Sequence, residues 1–105
     1  MSVFGKRLKE ARTRAGLSQE RLGVMADIDE MSSSARMNQY ERGKHEPHSS
    51  LVERLAKVLG VPESFFYEED DNVARLLVFL HEKPAEARYR IVTQVLEQFC
   101  DGLPD

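Results

Sequence analysis

Long apolar runs are missing from this chain of 105 residues. The longest is the five-residue stretch Leu76 to Leu80, against the ~18 apolar residues that suggest a membrane span. The N-terminus, MSVFGKRLKEAR, has none of the hydrophobic stretch of a signal peptide. Cysteine is nearly missing too: Cys100 stands alone, so an internal disulfide is excluded and a reducing compartment fits. These absences lead us to expect a cytoplasmic protein with no membrane contact. No nucleophile stands beside a base, no glycine-rich phosphate loop appears and no metal-ligand cluster is spaced for coordination. An enzyme, a cofactor and a small-molecule substrate are therefore not expected. His45 and His48 have an i, i+3 spacing, but Glu46-Pro47 between them breaks any shared helix, so they are read as part of a turn rather than as metal ligands. Positive charge is also in deficit, with 15 Lys and Arg against 18 Asp and Glu, a net charge of −3 and a pI near 5.6. Taken as a whole, that balance argues against a nucleic-acid partner.

What is present reverses this last inference. Residues 1 to 60 hold eleven basic against eight acidic side chains, a balance of +3, whereas residues 61 to 105 hold four against ten, a balance of −6. Such asymmetry between halves suggests separate tasks. With 41% hydrophobic and 31% charged residues, spread along the chain, the composition is that of a soluble globular protein with room for one domain and an appendage.

Apolar residues recur at three and four positions throughout and never alternate convincingly, which predicts an all-α fold. The first helix is expected from Val3 to Ala15, capped by Ser2, with Phe4, Leu8 and Ala11 inside and Gly16 ending it. Ser18 caps the second helix, Glu20 suits its first turn, and Leu22, Met25 and Ala26 face inward, with Gly23 allowing close backbone approach. The run from Asp27 to Ser33 has no helical stripe and reads as a loop. A third helix, from Ser33 or Ser34 to Arg42, buries Met37 and Tyr40 and stops at Gly43. Ser50 and Glu53 have the spacing of a capping box for a fourth helix carrying Leu51, Leu55 and Leu59, with Gly60 past its end. Pro62 begins a short fifth helix that turns Phe65 and Phe66 into the core. The acidic run at residues 68 to 71 marks a boundary, which divides the chain into residues 1–68 and 69–105, and Asp70 or Asp71 caps the next helix. Two further helices are expected to form an antiparallel hairpin. One has the stripe Val73, Leu76, Leu77 and Leu80; the other, entered by Pro84 and stopped by Gly102, has Ile91, Val92, Val95, Leu96 and Phe99.

A short helix, a turn and a second helix bearing small polar residues is an arrangement that can enter the DNA major groove, which admits one α-helix. With Met37 and Tyr40 inside, the third helix presents Ser34, Ala35, Arg36, Asn38 and Gln39 outward. Arg can pair twice with guanine, Asn or Gln twice with adenine, and Ala can touch the thymine methyl. Ser34, Ala35, Arg36 and Gln39 are the candidate base readers; Arg42 and Lys44 are candidate phosphate contacts. The basic residues Lys6 and Lys9 are as readily explained by an ordinary solvated face.

Four features then make a resemblance specific: RLKEARTRAGLSQERLG at Arg7 to Gly23, YERGKHEP at Tyr40 to Pro47, SLVERLAKVLGVP at Ser50 to Pro62, and their order. Over its first 67 or so residues the chain resembles the phage-repressor and Cro type of helix-turn-helix domain, the XRE-like transcriptional regulators. The resemblance implies five helices, a phosphate contact from Gln19 at the start of helix two, with Ser33 beside the recognition helix as a further phosphate contact, and an ion pair of Arg12 with Glu41 that clamps helix one to the recognition helix. It also implies double-stranded DNA, an operator of two-fold symmetry, and a homodimeric repressor as the acting species. The spacing from Gln19 to Glu41 is roughly four residues longer than in the family's tight form. That excess is assigned to the Asp27 to Ser33 loop, whose acids Asp27, Asp29 and Glu30 are expected to point away from phosphates.

Five successive apolar residues, LLVFL, cover the whole circumference of a helix, so one partner helix cannot bury them all. Either the hairpin docks on the N-terminal domain or it packs against a second copy. We expect the second, with Leu76, Leu77, Phe79, Leu80, Val92, Leu96 and Phe99 at the interface and Cys100 near the surface or within it. The alternative function is a protein-interaction module, an antitoxin or adaptor, that binds through its acidic C-terminal helices.

Overall fold

Ser2 starts the first helix as expected, its hydroxyl oxygen accepting the Gly5 N–H at 3.0 Å and so satisfying one of the donors that a helix start leaves unpaired. The computed structural model describes residues 2–99; Cys100 and Gly102 lie outside the described residues. Among these, all regular structure is helical: α1 (Val3–Arg14), α2 (Gln19–Met25), α3 (Glu30–Glu41), α4 (Ser49–Leu59), a 3₁₀ helix (Glu63–Tyr67), α5 (Asp71–Glu82) and α6 (Ala85–Phe99). The fold is all-α, and no helix among the described residues is long and apolar enough to cross a membrane.

The core gathers Phe4, Leu8 and Ala11 from α1, Leu22 from α2, Met37 and Tyr40 from α3, and Leu51, Val52, Leu55 and Leu59 from α4. Phe66 closes one end, its ring centroid 5.0 Å from that of Phe4. Two glycines let the helices approach this closely. A Cβ on Gly5 would lie 2.3 Å from the Glu41 carbonyl oxygen, and one on Gly23 would lie 1.9 Å from the Ser33 hydroxyl. Only a residue without a side chain fits either contact, so α1 and α2 both pack directly on α3.

Several expectations are corrected. The Asp27 to Ser33 segment is mostly not a loop. Asp27 takes a left-handed conformation, φ 69, which an Asp tolerates better than most residues. Ile28 then turns its side chain into the core. Asp29 caps α3 by accepting the Met31 N–H at 3.1 Å, so the helix begins at Glu30 rather than at Ser33 or Ser34. The extra length is one additional helical turn, and Glu30 lies on the helix itself instead of in a loop turned away from it.

Met25 is exposed, because Leu22, Gly23 and Ala26 supply the inward face of α2. The fourth helix starts two residues early, with His48 rather than Ser50 in the capping position. His48 is extended and its carbonyl accepts the Leu51 and Val52 N–H groups at 3.0 Å, which places Ser50 inside the first turn where it cannot cap. Pro62 precedes its helix rather than opening it, and the i→i+3 bond from Phe65 N–H to Pro62 O makes that helix 3₁₀. Asp70 is the cap of α5, accepting from Asn72 and Val73.

The C-terminal pair departs furthest from expectation. Ala74 and Val78 are the residues of α5 that are buried, leaving Val73 and Leu76 exposed and Leu77 and Leu80 half-buried. The helix α6 buries no residue and does not fold back along α5. The two meet at the Lys83-Pro84 turn, where Lys83 is extended, as the residue before a proline tends to be. There Arg88 donates to the carbonyls of Leu80 and Lys83, both at 2.9 Å. The molecule is accordingly long, 52 × 26 × 22 Å.

Candidate nucleic-acid interface

The base of the candidate site is a carboxylate held from two directions. Arg12 donates from Nε to Glu41 Oε2 and from Nη2 to Oε1 at 3.1 Å, while its Nη1 donates to the Leu17 carbonyl at 2.9 Å. Gln19 adds Nε2 to Glu41 Oε1 at 3.2 Å and reaches Asn38 Oδ1 at 3.4 Å. Glu41 is buried and Arg12 nearly so. One side chain from α1 and one from α2 thus converge on the last turn of α3, and this two-pronged geometry fixes its rotation about its own axis. Lys has no fork with which to reproduce it.

That rotation sets which residues of α3 face solvent. Ser33, Met37, Tyr40 and Glu41 are buried, and Met31, Ser34, Ala35, Asn38 and Gln39 form one exposed stripe that continues into Arg42 past the helix end. The spacings i, i+4 and i+8 of Met31, Ala35 and Gln39 place these three nearly in line. Of the residues singled out as base readers, Ser34, Ala35 and Gln39 are exposed, whereas Arg36 is half-buried. Its guanidinium donates to the Tyr40 hydroxyl at 2.8 Å and lies 5.8 Å from that ring's centre, so Arg36 sits at the edge of the stripe. Arg42 and Lys44 are exposed just beyond it.

Ser33, expected to touch phosphate, cannot do so. It is buried, with its hydroxyl donating to the Glu20 carbonyl at 2.7 Å, and it tethers α3 to α2. Reading a loop at this point hides that role, since a loop serine has no fixed face.

Two basic residues of α1, Lys6 and Arg7, are engaged by the acidic run. Arg7, a charged side chain only 2% exposed, donates to the Glu68 carbonyl at 2.7 Å, to the Glu69 carbonyl at 3.0 Å and to Glu10, and its Nη1 lies 2.9 Å from Asp71. Lys6 pairs with Asp71 at 3.1 Å and Arg14 with Glu82 at 3.8 Å. Hydrogen bonds from Lys6 and then Arg7 hold the Asp71 carboxyl below the usual carboxylate range. Sequence reasoning misses Arg7, although it lies between Phe4 and Leu8 on the inward stripe and four consecutive acids stand ready at residues 68 to 71. It misses Met31 as well, because no apolar periodicity marks a helix there.

Known proteins bear on this arrangement. A family model described as a helix-turn-helix domain matches residues 3–64. An uncharacterized HTH-type transcriptional regulator of Sinorhizobium medicae (strain WSM419) is 34% identical over 65 residues, 62% of this chain and 44% of the relative. An SPbeta prophage-derived regulator of the same type, YonR of Bacillus subtilis (strain 168), is 36% identical over 63 residues, 60% of this chain and 55% of the relative. The chain therefore spans about half the length of these curated relatives. Similarity to the crystal structure of the transcriptional regulator BswR extends further, with a TM-score of 0.79 and 43% identity over 92% of this chain and 97% of that one. Such coverage takes in the C-terminal helices as well as the matched domain. The chain belongs to the helix-turn-helix domain family.

Proposed function

We propose that this protein is a sequence-specific, double-stranded-DNA-binding transcriptional regulator of the cytoplasm, a homodimeric repressor that lays α3 in the major groove. The observation that carries this reading is the exposed stripe of α3, held in one rotation by Arg12, Gln19 and Glu41. Ser34, Ala35 and Gln39 read base edges, with Arg36 swinging off Tyr40 to join them. Arg42, Lys44 and the start of α2 at Gln19 meet phosphates. Residues 1–68 form the reading domain and residues 69–105 the part that joins two copies.

Support for the dimer comes from α6. Ala85, Tyr89, Val92, Leu96 and Phe99 follow the alternating four-three spacing of a coiled-coil seam, and all five are exposed in the single chain. Leu76 and Phe79 of α5 extend the exposed apolar surface, with Leu77 and Leu80 half-buried beside them. Two copies would present two recognition helices ~34 Å apart to a palindromic operator. The acidic run is joined to α1 through the pairs of Asp71 with Lys6 and Arg7, and the acidic balance of the C-terminal part opposes non-specific attraction to DNA.

Gel shift on genomic fragments at about 50 and about 200 mM salt tests the reading, since phosphate contacts make affinity fall steeply across that interval. The expected result is retention of a few fragments and steep salt dependence. Gln39→Ala or Arg36→Ala should relax base preference, and Gln19→Ala should weaken binding to every fragment alike. Uniform loss for all three variants contradicts the assignment. Capture of a protein through the acidic helices with no shifted DNA fragment would favour an antitoxin or adaptor instead.

A further inference from the structure

The additional turn at the start of α3 carries a side chain with no structural task. Met31 is 93% exposed, more than any other large hydrophobic residue among those described. Its backbone is well held, the N–H donating to the Asp29 carboxylate at 3.1 Å, while the thioether side chain extends into solvent from the face that also bears Ala35 and Gln39. That face is distinct from the apolar surfaces of α5 and α6, so a role in joining copies through those helices does not explain it. We infer that Met31 is a specificity-determining residue that packs on the C5-methyl group of a thymine in the major groove; the inference rests on the DNA-reading function proposed above.

The chemistry of the groove narrows the choice of target. Base edges there offer hydrogen-bond donors and acceptors and a single kind of apolar group, the thymine methyl. A methionine donates no hydrogen bond, so it offers nothing to a phosphate, and its sulfur accepts only weakly, whereas its unbranched, polarizable side chain adapts well to a small apolar knob. Position agrees with this. In a helix-turn-helix domain the N-terminal residues of the recognition helix reach the base edges, and Met31 is in the first turn of α3. Four residues separate it from Ala35, which is ~6 Å along the helix axis. With base pairs ~3.4 Å apart, Met31 meets a pair about two steps beyond the one facing Ala35. The neighbouring acids also suit the groove floor better than the backbone. Asp29 is engaged as the cap, and the exposed Glu30 carboxylate would be repelled by phosphate but can accept from cytosine N4.

The test uses duplexes that the full chain enriches from a random-sequence pool. In one enriched duplex each thymine is replaced in turn by deoxyuridine, which removes the methyl and keeps every hydrogen-bonding group. Wild type should lose about fourfold in affinity, the worth of one buried methyl-sized group, at one thymine position per half-site besides any that faces Ala35. Met31→Ala should bind the two versions of that position equally, and Met31→Leu should restore the preference. Because the Met31 side chain projects into solvent, both variants should keep the wild-type melting temperature. A wild type indifferent to every replacement, or a Met31→Ala variant that keeps the full thymine preference, overturns the inference while leaving the DNA-reading function in place. Failure to enrich any duplex removes both.

Discussion

The two ends of this molecule solve the problem of apolar surface in opposite ways. From α1 to the 3₁₀ helix, every helix contributes buried residues to a single core, and the one fully buried cation among the described residues, Arg7, is met by carbonyls and carboxylates. The C-terminal α6 carries a comparable share of apolar residues and buries none of them, leaving Phe99 73% exposed. The first region is complete as a single chain, and the second has a face that requires another surface. The charges are divided too, with a basic balance in the first region and an acidic one in the second, joined where Asp71 meets Lys6 and Arg7. A recognition helix must hold one orientation, which calls for rigid support. A surface joining two copies needs only to be available.

The largest effects should come from damage to the complete region. Gly5→Ala sets a Cβ against backbone atoms of α3 that cannot rotate aside, and should cost about 3 kcal/mol or more in thermal unfolding, at the upper end for overpacked sites. Arg12→Ala leaves the Glu41 carboxylate buried with only Gln19 as a side-chain donor, and about 3 kcal/mol should be lost in urea denaturation. Arg12→Lys should recover less than half of that. Full stability in either Arg12 variant would mean that α3 is positioned by core packing alone.

Leu96→Asp in α6 sharpens the comparison from the other side. It should leave the cooperative unfolding of the N-terminal region unchanged within about 0.5 kcal/mol, as for an ordinary surface change, while analytical ultracentrifugation shows a dimer becoming a monomer. The smallest effect belongs to the joint between the regions. With its folded pKa depressed by Lys6 and Arg7, Asp71 contributes stability that is fully present above its unfolded value of about 3.9 and is lost as pH falls through the lower folded value. Between about pH 5 and pH 2, the wild-type melting temperature should therefore fall more steeply than that of Asp71→Asn.

Much of the first region is legible in the sequence, and the exceptions share a cause. Ser2, Ser18 and Asp70 announce helix starts because their short oxygen-bearing side chains sit just before apolar periodicity. Leu8, Leu55 and Phe66 announce the core for the same reason of spacing. The start of α3 is not legible: Asp29 stands within a run of acids, and Glu30 to Ser32 have no apolar partner to mark a face. Gly23 is legible as a point of close approach, but its partner Ser33 is revealed only when the two helices come together. Arg7 resembles any charged residue of an amphipathic helix until the chain returns with the Glu68 and Glu69 carbonyls. Between α5 and α6, the apolar stripes predict two amphipathic helices correctly, but a stripe does not state whether its partner lies in the same chain. Pro84 and the extended Lys83 decide that locally, and the pattern of hydrophobic residues does not encode it.

The central claim is that α3, fixed by Arg12, Gln19 and Glu41, reads DNA as one of a symmetric pair. Selection from a random duplex pool tests it most directly. The expected result is an enriched palindromic consensus whose half-site centres are about 10 base pairs apart, relaxed at one position of each half-site on Gln39→Ala with the fold intact. A consensus without two-fold symmetry, or no enrichment at all, would contradict it.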